Sequence, residues 1–396
     1  MTQASTVHAD NGPRDALLEG GVPFVRPDVP DYAAVAAAFE ASMSSGLLTK
    51  GPQLERLERE AAEALGVSHA LGLSSCTVGL ALVLKALMDR GRERTSGPLR
   101  DEVVMPSFVF LASPAAAVWA GMRPVFVEIC PKSWTVDSAA VEAAIGPRTR
   151  AILACHTFGN PCDEPRLEEI AQERGIDLVV DAAHGFGSLA EGQPVGSRGI
   201  AQVFSMSPTK LVVAGEGGIV ATGDADLAAR LLDAREYGND GRYGSAAAGL
   251  NGRLPELSAA LARASLKRLE KVRAARVAAA EAFREGLAGL PGIALQQIAP
   301  GRQSSWKDFA VRVEEAAFGR SRDDLRELLL TRGVDTRAYY SPPCHAMQAY
   351  AEFQAGRPPL PETEKLAAEC LALPMGRHVT PEVATAIAGI IAEAAQ

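Results

Sequence analysis

From residue 70 to residue 181 short apolar runs alternate with longer segments of helical spacing, and that rhythm narrows the possible folds more than any other feature. The runs at 70–73, 102–105, 124–128, 151–155 and 176–181 have strand length. Between them, 76–88, 111–120, 136–145 and 164–174 repeat apolar residues at helical spacing. Short apolar strands separated by helices belong to an α/β layer with a mainly parallel, buried sheet. Such sheets bind ligands at the carboxyl ends of their strands. Asp181, His156, Pro106 and Ser107 fall at those ends.

Helices over 32–43 and 52–65, joined by a loop at 46–52, precede this layer. Beyond 257 the texture changes. A long Ala/Arg/Leu-rich helix is expected over 257–287, a strand over 309–313, and helices over 323–330, 363–372 and 381–395. A chain of 396 residues is long for one domain. The expected division is an N-terminal arm at 1–30, a large α/β domain at 31–248 and a smaller α+β domain at 249–396.

Composition excludes several classes of function. A net charge of −8 without a clustered basic run argues against nucleic acid or an anionic membrane as partner. Residues 103–122 carry no charge and could span a bilayer by length, but Pro106, Ser107, Ser113 and Pro114 interrupt them. Strand, turn and helix are the expectation there. Six cysteines form no Cys-x-x-Cys pair and read as free thiols of a cytoplasmic protein. Residues 1–13 lack the basic and apolar regions of a secretory leader. No metal site is expected.

Three stretches carry chemistry. Val179-Val180-Asp181-Ala182-Ala183-His184 ends an apolar strand in an acid and an imidazole. Ser205-Met206-Ser207-Pro208-Thr209-Lys210 supplies a lysine in a setting without other charges, and Gly215-Glu216-Gly217-Gly218 follows. An acid for a ring nitrogen and a lysine able to form a Schiff base are what pyridoxal 5′-phosphate requires of its protein. Each residue also has a plainer reading. Lys210 alone would be a surface lysine, Asp181 a helix cap, and His184 a core histidine, the reading preferred for His156. Ser74-Ser75-Cys76-Thr77, before a helix, suits a phosphate or a simple cap. The glycine run lacks a P-loop's Lys-Ser/Thr and reads as a tight backbone passage. Phe108 reads as core, and Phe110 as core or as a ring stacked on the cofactor.

Taken in order, these motifs resemble the nucleotide-sugar aminotransferases of fold type I, the DegT/StrS group. The resemblance runs from about Gly46 to Thr380. Besides the stretches above it includes Met105-Pro106-Ser107-Phe108-Val109-Phe110, Phe158-Gly159-Asn160-Pro161 and Gly249-Leu250-Asn251-Gly252-Arg253-Leu254. It implies a mixed, mainly parallel sheet of the seven-stranded type. It implies Lys210 as Schiff-base lysine and general base, Asp181 on the pyridinium nitrogen and His184 near the ring oxygen. Phe110 would stack on the ring, while Ser75, Cys76, Thr77 and Ser205 would cradle the phosphate. Asn251 would reach the phosphate of a neighbouring subunit, making a homodimer with shared sites, and Arg253 would hold donor or substrate. Ser207, Gly252 and Pro255 depart from the common pattern at positions expected toward substrate.

The implied reaction moves an amino group from glutamate or glutamine to a keto-sugar nucleotide, in amino-sugar or secondary-metabolite biosynthesis. A keto-cyclitol acceptor shares every cofactor residue. A related dehydratase carries histidine in place of the lysine, and Lys210 argues against it. A cysteine desulfurase would need a mobile cysteine, for which Cys344 is the loop candidate, and a regulator without turnover would need a DNA-binding segment.

Overall fold

A computed structural model of the chain describes residues 18, 20–94, 99–239, 241–245 and 247–395. Most of the expected arm, residues 1–17 and 19, lies outside the described residues, as does Ala246 beside the expected domain division. Seven strands form one sheet: β1 (His69–Leu73), β2 (Glu102–Pro106), β3 (Arg123–Val127), β4 (Thr149–Cys155), β5 (Asp177–Asp181), β6 (Ala201–Ser205) and β7 (Gly218–Thr222). Their order is β1-β7-β6-β5-β4-β2-β3. All neighbours are parallel except β7, which runs antiparallel to both β1 and β6.

The apolar runs are explained by burial on both faces. Val104, Ile152, Val180 and Phe204 turn to a core shared with helices Pro52–Leu65 and Glu164–Arg174. Their neighbours Val103, Leu153, Val179 and Val203 turn to the opposite core, under helices Cys76–Arg94 and Ala112–Trp119. Residues 103–122 are therefore strand, turn and short helix, and no helix among the described residues is long and apolar enough to cross a membrane.

Helix Pro52–Leu65 shows how local rules and tertiary contacts combine. Proline opens it, Leu54, Leu57, Ala61 and Leu65 line its buried face, and Gly66 ends it in a left-handed conformation. Its first amides are satisfied from afar. The buried Glu256 carboxylate accepts from the N–H groups of Gly51 (3.1 Å), Gln53 (2.8 Å) and Leu54 (2.9 Å).

The C-terminal part builds on β8 (Ile293–Leu295), β9 (Phe309–Val313) and β10 (Cys370–Leu373), an antiparallel sheet in that order. Two expectations change here. The segment 257–287 is two helices, Glu256–Leu266 and Leu269–Leu287, broken at Lys267 and Arg268 without glycine or proline. Ala259 and Ala262 of the first helix and Val272 of the second bury in the large sheet's core, while Ala279, Phe283 and Leu287 bury under the small sheet. Likewise the helix expected over 363–372 ends at Glu369, because residues 370–373 pair with β9 and are wholly buried there.

Strand β7 passes very close to the start of helix Cys76–Arg94. A Cβ added at Gly218 would lie 2.6 Å from the Cys76 nitrogen and 2.6 Å from the Ser75 carbonyl carbon. Gly218→Ala is therefore expected to destabilise the protein by about 1–3 kcal/mol in urea unfolding. Gly223→Ala, where nothing lies within 4 Å, should change stability by less than about 0.5 kcal/mol. Equal behaviour of the two variants would refute the close-approach account.

Candidate active site

The carboxyl ends of β5 and β6 and the start of helix Cys76–Arg94 open on one cavity of about 380 Å³. Ser75, Cys76, Thr77, Phe110, Asp181, His184, Ser205 and Lys210 all line it. A larger hollow of about 550 Å³ beside Lys85 and Arg230 touches none of the three motifs.

Asp181 ends β5 and is 3% exposed. One carboxylate oxygen accepts from the Ala183 amide at 3.0 Å and lies 4.0 Å from the Cys76 sulfur. The other accepts from the Ser113 hydroxyl. Asp181 is thus a buried acid that also caps a turn; no helix follows it, so it is not a helix cap. Ser113 is a residue that sequence reasoning missed: its only signal was a hydroxyl within an uncharged, apolar stretch.

Lys210 follows β6 in a turn closed by its own amide donating to the Ser207 carbonyl at 3.0 Å. Burial, with the charge of Lys307 close by, pulls its ammonium down to about 8. A fraction of it is thus the free amine near neutral pH, as a nucleophile for a carbonyl requires. Burial first, then Lys210 and Lys307, push His184 well below the usual imidazole range, so its ring is neutral. His184 Nδ1 is buried without a hydrogen-bond partner. By contrast His156 is a core residue, fully buried, its Nδ1 accepting from the Cys162 amide at 3.1 Å.

At the opposite wall Ser75 caps helix Cys76–Arg94, its hydroxyl accepting from the Val78 amide at 3.1 Å. The Cys76 and Thr77 amides precede any carbonyl of the helix that could receive them. The Cys76 thiol turns inward, 3.5 Å from the Val203 carbonyl, and burial holds it well above the usual thiol range. Its contribution to an anion would come from the backbone. Phe110 is 53% exposed and lines the cavity, while Phe108 is fully buried against Phe158 and Tyr340.

Asn251 and Arg253 do not line this cavity. Asn251 is exposed, and Arg253 pairs with Glu236 at 3.4 Å and lies over the Tyr237 ring. Of the three departures from the family pattern only Ser207 lines the cavity. Gly252 packs against Val78 and Arg235, and its carbonyl receives the Ser74 amide at 2.8 Å; Pro255 is exposed. Lys307, Asp308, Tyr339 and Tyr340 complete the wall from the C-terminal part. Their only sequence signal was a charged dipeptide abutting an apolar strand and an aromatic pair before Pro342 and Pro343.

The donor set fits pyridoxal 5′-phosphate. A lysine of lowered basicity stands ready for the aldehyde, a carboxylate for the ring nitrogen, an unpartnered imidazole nitrogen for the ring oxygen, and a helix start with hydroxyls for the phosphate.

Comparison with known proteins agrees with that fit. The profile of the DegT/DnrJ/EryC1/StrS aminotransferase family matches residues 31–392. The dTDP-3-amino-3,4,6-trideoxy-alpha-D-glucose transaminase of Streptomyces venezuelae is 39% identical over 344 residues, covering 87% of each chain. The erythromycin biosynthesis sensory transduction protein EryC1 of Saccharopolyspora erythraea is 38% identical, covering 86% of this chain and 90% of that one. Among solved structures, DesI in the presence of its TDP-sugar product superposes with a TM-score of 0.86 and 36% identity, over 94% of this chain and 92% of that one. S. venezuelae DesV in complex with a ketimine intermediate gives 0.83 and 38%, over 93% and 98%. The chain belongs to the DegT/DnrJ/EryC1/StrS aminotransferase family and is a pyridoxal-phosphate-dependent transaminase of fold type I.

Proposed function

We propose that this transaminase takes an amino group from glutamate or glutamine and delivers it to a keto-sugar nucleotide, in two half-reactions at the Lys210 cavity, within amino-sugar or antibiotic biosynthesis. The observation that carries the reaction is the convergence of Lys210, Asp181 and His184 on one cavity. The acceptor class draws on the relatives named for dTDP-linked and TDP-linked sugars.

When bound, pyridoxal phosphate supplies the aldehyde that carries the amino group and a ring that withdraws electrons from the reacting carbon. Lys210 would hold the cofactor covalently and, once freed from it, would move the proton at the reacting carbon. Asp181, oriented by Ser113 and the Ala183 amide, would keep a proton on the ring nitrogen. His184, neutral, would stand by the ring oxygen. Phe110 would pack on the ring face, and the amides of Cys76 and Thr77 with the hydroxyls of Ser75, Thr77 and Ser205 would hold the phosphate.

In this reading Asn251 and Arg253 serve the cavity of a second copy, which makes the enzyme a homodimer with shared sites. Their placement away from their own cavity supports it. The desulfurase alternative finds no support. Cys344 is fully buried, its thiol donating to the Val109 carbonyl at 3.3 Å, and burial pushes it up to about 12.

Three measurements test the reading. First, Lys210→Ala should lose covalent cofactor attachment, read by intact mass after borohydride reduction, and lose at least about a thousandfold in turnover. Retained turnover sinks the assignment. Second, attachment of added pyridoxal phosphate to the cofactor-free chain should rise with pH and reach half its limit near about 8, as the Lys210 ammonium deprotonates. Removing a neighbouring positive charge favours the protonated amine, so Lys307→Met should move that midpoint upward. Third, the amine-loaded enzyme should be unloaded by keto-sugar nucleotides and not by keto-cyclitols; the reverse pattern would transfer the assignment to a cyclitol acceptor.

A further inference from the structure

One wall of the cavity holds a charged pair that the transamination described above uses only in part: Lys307 lowers the basicity of Lys210, and Asp308 is left without a role. Lys307 and Asp308 are 5% and 2% exposed, and Lys307 Nζ donates to Asp308 Oδ1 at 2.7 Å. Both line the cavity beside Lys210. The second carboxylate oxygen, Asp308 Oδ2, is buried and has no hydrogen-bond partner. A buried ion pair is a poor means of gaining stability, since apolar residues of similar size often serve as well. A buried acceptor left open asks for a partner that comes and goes.

The surroundings fix this dipeptide in place. The buried Arg276 guanidinium, from helix Leu269–Leu287, donates to the carbonyls of Trp306 (3.0 Å) and Lys307 (2.9 Å). Trp306 itself takes a left-handed backbone with φ of 49°. The Ser305 hydroxyl donates to the His184 carbonyl at 2.7 Å, and the Asp308 amide points to the Phe158 carbonyl at 3.4 Å. The pair is therefore held against the large domain at the level of His184.

The chemistry of the pair selects among ligands. A carboxylate or phosphate drawn to Lys307 would meet the open Asp308 oxygen as a like charge. An ammonium drawn to Asp308 would meet Lys307. A hydroxyl suits both, because it donates to the carboxylate and accepts from the ammonium. We infer that Lys307 and Asp308 are a specificity-determining pair that grips a ring hydroxyl next to the acceptor's keto group. The enzyme thus takes a hydroxylated ring in preference to one deoxygenated at that position. The inference rests on the keto-sugar reading above.

The test uses the holoenzyme loaded with amine from glutamate. The probes are matched dTDP-linked 6-deoxyhexoses, as 3-keto and 4-keto compounds, each with and without the hydroxyl beside the carbonyl. Within the pair that reacts, kcat/KM should favour the hydroxylated compound by at least about a hundredfold, since a site built to bond a hydroxyl leaves its own polar groups unpaired when that hydroxyl is missing. Asp308→Ala should collapse this ratio to below about tenfold, through loss of the hydroxylated compound alone. A merely structural role would lower both compounds alike. A wild-type ratio near one, or one kept in Asp308→Ala, overturns the inference while leaving the keto-sugar reading intact. If glutamate loads the enzyme and none of the four nucleotides unloads it, the keto-sugar reading itself fails and carries this inference with it. Should Asp308→Ala not fold, Asp308→Asn and the wild-type ratio decide the matter.

Discussion

The contact on which the site depends is a close approach of two backbones. Strand β7 enters the sheet antiparallel between β1 and β6, and its first residue, Gly218, lies against the Ser75–Cys76 peptide with no space for a side chain. This brings the start of a 19-residue helix to the ends of β5 and β6. Ser75 and Thr77, Asp181, and Ser205 with Lys210 come from three separate stretches of chain, yet they border one cavity because that approach closes the sheet around them. Gly79 extends the same packing: a Cβ there would lie 2.7 Å from Val203 on β6 and 3.1 Å from Val220 on β7.

Burial then sorts the titratable groups by task. It pushes His184 down and holds Cys76 and Tyr340 up, so each stays neutral and acts as a hydrogen-bonding or packing group. The same burial, helped by Lys307, brings Lys210 to about 8, within reach of neutral pH. The cavity therefore contains one amine poised to gain and lose a proton, amid groups that burial has locked. This division of labour agrees with a reaction in which one residue both holds the cofactor and moves protons.

Much of this was legible in the sequence, and for a physical reason. Strands buried on both faces must be apolar along their whole length, so the runs ending at Cys155 and Asp181 announced both the sheet and the edge where ligands bind. The motif residues from Ser75 to Lys210 are local and carry their own capping or turn chemistry. What escaped notice depended on distant partners. The break at Lys267 and Arg268 has no breaker residue to announce it. Residues 370–373 have the pattern of a helix end, and β9 recruits them as a strand. Ser113 and Lys307 reach the site through tertiary placement alone, and nothing in their neighbours' identities points to Asp181 or Lys210. Gly252 and Pro255, expected toward substrate because they depart from the family pattern, do not line this chain's own cavity, and the Gly252 carbonyl accepts from the Ser74 amide.

The helix Leu269–Leu287 has a further consequence. Val272 near its start buries in the large sheet's core, and Phe283 near its end in the small one, with Arg276 between them. Arg276 holds the carbonyls of Trp306 and Lys307. The wall that faces the acceptor is thereby fastened to a beam pinned at both ends, not to the loop that carries it. Its distance from Lys210 is a dimension of the whole molecule, set by how two hydrophobic cores stand apart, and recognition of the acceptor inherits the stiffness of that frame.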